Sequence, residues 1–69
     1  MINPFKLRKN NLYIYDDSLV VVYYIHWWSD GSLYPEVSYY KLCEHVEDKL
    51  PNLHRVYWID FIVNAKIHT

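Results

Sequence analysis

Histidine, cysteine and carboxylate side chains are the groups through which this chain could do chemistry, and their spacing is uninformative. The four histidines, His26, His45, His54 and His68, share none of the short spacings that hold a metal ion on a helix or in a finger. Glycine occurs once, at Gly31, so the chain has no glycine-rich loop for a phosphate. The sequence therefore predicts no metal and no cofactor.

General acid–base catalysis has one conceivable arrangement. His26 or His68 could act with Asp60 if all three side chains lie on the outer face of a sheet, as in small nucleases built on a concave sheet. Each of these residues is more simply explained as a polar side chain on a partly solvated face. We therefore expect the protein not to be an enzyme.

Cys43 and His45 are two residues apart on a predicted helix, so their side chains point about 200° apart and cannot share a proton or a metal ion. Cys43 falls on the apolar stripe of that helix, where a free cysteine usually acts as a small hydrophobe. A single cysteine cannot form an internal disulfide, which in a small domain favours a reducing compartment. We expect the cytoplasm, or the host cytoplasm if the source is a virus.

The composition indicates one small folded domain over residues 1–69. Hydrophobic residues make up 52% of the chain and the formal net charge is −1, so the overall charge attracts neither nucleic acid nor an anionic membrane. The N-terminus lacks the pattern of a signal peptide, and the longest apolar run is too short to cross a bilayer as a helix. Residues 1–11 are expected to form a basic arm or lead-in.

Residues 19–28 are the longest run of β-branched, aromatic and other bulky side chains, and they predict the central strand. A short strand over 12–15 and the turn residues Asp16 and Asp17 predict a hairpin with it. The Asp30-Gly31 pair predicts a second tight turn. A third strand over 33–37 follows, which Pro35 should confine to an edge of the sheet.

A helix is predicted next, with Ser38 as its N-cap and Val37 and Leu42 as a hydrophobic staple. Its apolar stripe comprises Tyr39, Leu42, Cys43, Val46 and Leu50. Pro51 ends the helix, and residues 54–68 predict a last strand with Trp58 and Asp60 on its outer face.

These elements predict an α+β fold, a four-stranded, mostly antiparallel sheet in the order β-β-β-α-β with one helix packed on one face. A right-handed crossover would bring the last strand beside the first as the one parallel pair.

The abundance of aromatic residues is the main indication of function. One helix covers one face of a sheet, so the face carrying Tyr24, His26, Trp28 and Trp58 would lie bare in a monomer. Tyrosine and tryptophan are enriched in binding hot spots. The alternative is that these rings only fill a small core. We predict a protein-binding surface anchored by Trp28.

Further contacts are expected from Asp60 and from the hairpin tip at Asp30. In general character, a compact aromatic-rich domain without a catalytic motif, the chain resembles small proteins with which phages and mobile elements block host enzymes or defence complexes. That resemblance implies an inhibitor or adaptor of a larger protein. A homodimer that covers the same bare face is a competing expectation.

A single-stranded nucleic-acid binder is the alternative hypothesis. Bases would stack on Tyr24, Trp28 and Trp58, while phosphates would contact a basic set consisting of Lys6, Arg8, Lys9 and Arg55. The charge distribution opposes this hypothesis, because residues 1–11 carry +3 and the rest of the chain carries four basic against eight acidic residues.

Overall fold

The computed structural model of the protein describes residues 2–28, 31 and 33–68. In these residues the strands are β1 (Leu12–Tyr15), β2 (Ser18–His26), β3 (Glu36–Lys41), β4 (His54–Tyr57) and β5 (Lys66–Ile67), and the α-helix is α1 (Trp58–Asn64). The strands form one open sheet in the order β4-β3-β2-β1-β5, and every adjacent pair is antiparallel. The predicted α+β class with one helix is confirmed, with five strands instead of four.

The predicted central strand and first hairpin are both confirmed. β2 lies in the middle of the sheet and pairs with β1 and β3. Asp16 and Asp17 connect β1 to β2 with φ angles of 53° and 59°. Two consecutive positive φ values are those of a type I′ turn, whose twist matches that of the strands it joins.

A bulge in β2 changes which side chains share a face. The pairing register with β3 shifts between Val22 and Tyr24, which leaves Tyr23 as the extra residue. Val22 is buried in the core and Ile25 packs against the same core. Tyr24 and His26 therefore lie on the opposite face. In a strand without a bulge, Val22 and Tyr24 would share one face, and the extra residue separates them.

The helix predicted after Ser38 is wrong. Ser38 lies inside β3, which runs to Lys41 and is followed by a 3-10 turn over Leu42–Glu44. Val37 and Tyr39 are buried on the core side of β3. Their spacing of two residues is that of a strand with one buried face, and this segment folds accordingly.

Three residues of the apolar stripe predicted for this helix are exposed, as expected if no helix packs here. Leu42, Val46 and Leu50 are 40%, 56% and 91% exposed. Pro35 precedes β3 instead of interrupting it, and β3 is an interior strand between β4 and β2, so the predicted edge position is also wrong.

The long last strand predicted over residues 54–68 is wrong as well. It is divided into β4, α1 and β5. The side chains of α1 that face the core are Trp58, Phe61 and Ile62, with Ala65 at the cap. Their offsets of 3, 4 and 7 residues are those of one helix face. A helix of only seven residues depends on such packing for its stability.

The last strand lies beside the first, as predicted, but the pairing of β5 with β1 is antiparallel and not parallel. α1 connects β4 at one edge of the sheet to β5 at the other edge. Because four antiparallel pairings separate these two strands, they run in the same direction, and α1 carries the chain across the sheet between them. Among the described residues, no helix combines the length and apolar character that crossing a membrane requires.

The core lies between the sheet and a layer formed by α1 and the N-terminal segment. Its buried cluster consists of Ile2, Leu7, Tyr13, Val20, Val22, Val37, Tyr39, Phe61, Ile62 and Ala65. The amide of Ile2 donates to the carbonyl of Ile62 at 2.9 Å. The Tyr13 hydroxyl donates to the carbonyl of Lys6 and accepts from the amide of Arg8. The first residues of the predicted arm are thus part of the core layer.

Candidate interaction surface

The face of the sheet turned away from α1 is defined by the pairing register. Directly paired residues share a face, and the set paired opposite to the core residues is Leu12, Ile14, Leu19, Val21, Tyr24, His26, Tyr40 and Tyr57. We call this set the open face. None of its members belongs to the buried core cluster.

The open face presents apolar and aromatic area to solvent. Tyr57 is 58% exposed, and Leu12, Ile14 and Tyr24 are each between 37% and 38% exposed. Val21 is 8% exposed because it lies in the middle of the face, paired with Leu12 on one side and with β3 on the other. An exposed apolar face of this kind is suited to contact another apolar surface.

One polar group of the open face is fixed by a hydrogen bond. His26 Nε2 and Ser38 Oγ lie 2.7 Å apart, and Ser38 is buried. The imidazole ring of His26 also packs edge-on against the ring of Tyr24, with centroids 4.9 Å apart. Both contacts restrict the side-chain conformations of the two residues.

The charged groups around the open face are predominantly basic. Lys9 Nζ lies 5.7 Å from the centroid of the Tyr24 ring, within the range of a cation–π contact. Arg55 Nε donates to Glu36 Oε2 at 2.8 Å across the neighbouring strands. Lys66 is paired with Ile14 at the β5 edge.

The structure divides the six predicted partner-binding residues. Tyr24 and His26 lie together on the open face. Trp28 is 64% exposed beyond the end of β2. Trp58 packs against the core and against Trp27 on the helix side, so its predicted place beside Tyr24 is wrong.

The two remaining partner-binding predictions have different outcomes. Asp60 lies in α1, not on the outer sheet face. Asp30 lies outside the described residues, although Gly31, with φ 85°, donates its amide to the carbonyl of Trp28 in a turn.

Asp60 has a structural role on the helix side. Its carboxylate accepts hydrogen bonds from the Tyr15 hydroxyl and from Asn64 Nδ2, the latter at 2.9 Å. Burial, and secondarily the hydrogen bond to Asp60, raises the pKa of Tyr15. The predicted acid–base arrangement is wrong, because His26 lies on the open face and His68 lines a different cleft from Asp60.

The four predicted phosphate-binding residues do not form one track. Lys6 and Arg8 line a cleft of about 640 Å³ together with Phe5 and His68. Lys9 lies over Tyr24 on the other side of the sheet, and Arg55 forms an ion pair with Glu36.

A second cleft, of about 630 Å³, is lined by three acidic residues, Asp16, Asp17 and Asp60, and by the basic Lys66. Within the described part of the chain, no group of three or more histidine, cysteine or acidic side chains is placed to hold a metal ion. Cys43 is exposed in the 3-10 turn, so its predicted burial is wrong.

The open face also contains residues that the sequence did not single out. Leu12, Ile14, Tyr40 and Tyr57 belong to it because they pair with the outward residues of β2 and β3. The alternation of Leu12 and Ile14 with Tyr13 and Tyr15 was the available signal, since one of these pairs had to face away from the core. No protein-family model, curated protein or solved structure matches this chain.

Proposed function

We propose that the protein is a binding module that acts as an inhibitor or adaptor by docking its open face on a larger protein. The single observation that supports the proposal is the uncovered apolar face, with Leu12, Ile14, Tyr24 and Tyr57 exposed together on one side of the sheet. Apolar patches of this kind on small domains commonly mark interaction sites. The exposed thiol of Cys43 suits the reducing cytoplasm, where we place the protein.

The size of the face supports the same function. The two longer principal extents of the molecule are 31 and 26 Å. A standard protein–protein interface takes about 800 Å² from each partner, so one formed here would occupy most of one side of a molecule of this size. The fixed rings of Tyr24 and His26 lower the entropy cost of binding, because little side-chain freedom is left to lose.

Site-specific photo-crosslinking tests the proposal. A photoreactive phenylalanine analogue at Tyr24 should form a discrete adduct with one protein in extracts of the source cell or its host. The matched control is the same analogue at Ile59, an exposed apolar residue on α1, which should give no discrete adduct. Excess unlabelled protein should suppress the Tyr24 adduct, and excess Ile14→Ser protein should not. Equal labelling from Tyr24 and Ile59 would overturn the proposal.

Single-stranded nucleic-acid binding is the second candidate, and one contact favours it. The ammonium of Lys9 over the ring of Tyr24 places a cation beside an exposed aromatic surface, as base stacking with a phosphate contact requires. Anisotropy of a labelled oligothymidine at low salt tests this candidate. Binding that falls about tenfold or more in Tyr24→Ala would support it, since stacking on one ring is worth about 1–3 kcal/mol.

A further inference from the structure

We propose that the open face recognises an acidic protein segment that carries apolar anchors. This inference rests on the proposed function, and it specifies the chemistry of the partner. It is argued from the sign of the charges around the face and from the kinds of side chain that the face exposes.

The open face has a charge opposite in sign to that of the whole molecule. Among the described residues, Lys9, Arg55 and Lys66 lie on or beside it, against the acidic Glu36, which is already paired with Arg55. Lys66 also lines the cleft that contains Asp16, Asp17 and Asp60. The chain as a whole has a formal net charge of −1.

The other acidic residues of the described chain lie elsewhere. Asp16 and Asp17 form the turn between β1 and β2, and Asp60 is in α1. Glu44, Glu47 and Asp48 follow β3 as exposed residues. Glu44 precedes His45, whose ring packs 5.2 Å from that of Tyr40, so acidic charge borders the open face at that end, while Glu36 on the face is paired with Arg55. A partner bearing carboxylates is therefore attracted to the basic residues of the face.

The exposed side chains of the open face indicate that the partner segment carries apolar anchors. Leu12 and Ile14 of β1 expose aliphatic area, and Tyr24 of β2 and Tyr57 of β4 expose rings. Aliphatic and aromatic surfaces side by side match a partner segment with several large apolar side chains. A nucleic acid would find stacking partners on only the aromatic half of the face.

A second copy of the chain is disfavoured as the occupant. A two-fold axis through the face would bring the basic residues of one copy toward those of the other. Since Glu36 already pairs with Arg55, no described acidic residue on the face is left to compensate Lys9 and Lys66 of the other copy. Like charges of this kind oppose a symmetric interface.

Selection from a displayed library of random peptides tests the inference with the full chain as bait. We expect enriched peptides to be acidic and to contain large apolar residues. They should bind wild type and Ile59→Ser equally, and bind Ile14→Ser and Leu12→Ser about tenfold more weakly, because each substitution removes aliphatic area that the bound peptide would cover. Lys9→Ala should weaken binding, and so should added salt. Circular dichroism of each variant checks that it is folded.

The outcomes separate the two proposals. Enriched peptides that depend on Ile14 but are neutral or basic would overturn the acidic-segment inference and leave the proposed function intact. Enriched peptides that bind folded Ile14→Ser and Leu12→Ser as well as wild type, or no enrichment at all, would overturn the proposed function itself. Tight binding of oligothymidine that is lost in Lys9→Ala, without peptide enrichment, would assign the face to nucleic acid and overturn both.

Discussion

Tyr15 makes a polar contact between the sheet and α1. Its hydroxyl donates to the carboxylate of Asp60, which also accepts from Asn64 of the same helix. Its ring stacks on Phe61 with centroids 5.0 Å apart. Because the neutral phenol makes these contacts, losing its proton costs a hydrogen bond and places a second negative charge beside Asp60.

The raised pKa of Tyr15 predicts a loss of stability at alkaline pH. The unfolded chain releases this proton near pH 10, the ordinary tyrosine value, while the folded protein keeps it to higher pH. The unfolded state then binds fewer protons than the native state, so the free energy of unfolding falls as the pH rises above about 10. Urea unfolding of wild type and Tyr15→Phe at several alkaline pH values measures this, and the variant should have the shallower decline.

Tyr34→Phe is the control for this prediction, since Tyr34 is exposed and makes a ring contact with Tyr57. Its decline should match that of wild type. Some decline should persist in Tyr15→Phe, because burial also raises the pKa of Tyr39. Identical profiles for wild type and Tyr15→Phe would contradict the role assigned to the Tyr15 hydroxyl.

The N-terminal segment offers a matched pair of core and surface residues. Leu7 is 4% exposed within the buried cluster, whereas Phe5, two residues earlier, is 82% exposed. We expect Leu7→Ala to lower the free energy of unfolding by about 2–3 kcal/mol and Phe5→Ala to change it by less than about 0.5 kcal/mol. Thermal unfolding of both variants measures the difference. Equal and small effects would show that the segment is an arm and not part of the core.

At the scale of elements, local strand signals predicted β1, β2 and their turn, because β-branched and aromatic residues alternate with a clear turn composition there. The helix was misplaced because two periodicities overlap in the same residues. The spacing of Val37 and Tyr39 is that of a strand, and the spacing of Tyr39 and Leu42 is that of a helix. Pairing with β2 and β4 selects the strand.

The reverse error occurred in α1. Its sequence of mainly β-branched and aromatic residues has strand propensity, yet Trp58, Phe61, Ile62 and Ala65 recur at helical spacing. Packing on the sheet overrode the propensity, as it commonly does for short helices. Predicting a strand in place of α1 put Trp58 and Asp60 on the wrong face, so of the predicted sheet-face residues Tyr24 and His26 are the ones that lie together on the open face.

The turn between β1 and β2 has a specific prediction. Asp17 occupies the left-handed region with φ 59°, where an L-residue other than glycine is strained. Asp17→Gly should raise the free energy of unfolding by about 0.5 kcal/mol, the relief of strain exceeding the added entropy of the unfolded chain. Chemical denaturation measures it. Glu47→Gly is the control, because Glu47 is exposed and has no positive φ, and it should give no gain.

At the scale of the whole molecule, the sheet separates two environments. One side is closed by α1 and the N-terminal segment, and the other remains a face of apolar and aromatic side chains. The shortest principal extent, 17 Å, leaves room for the sheet and a single further layer. The abundance of aromatic residues indicated an uncovered face. The bulge at Tyr23 determines which side chains of β2 lie on that face. No local sequence pattern specifies a bulge at this position.

The charge of the open face predicts the state of association in solution. The sequence alone favoured a homodimer on this surface, whereas a two-fold axis would set Lys9, Arg55 and Lys66 against a second face with the same basic residues. We therefore expect light scattering to give a constant mass near 8.5 kDa over a wide concentration range at low salt. Lys9→Glu should promote dimerisation, because the introduced carboxylate of one copy would pair with a basic residue of the other, and salt should weaken that dimer. A wild-type dimer at low salt that Ile14→Ser dissociates would instead show that the apolar area of the face outweighs its charge.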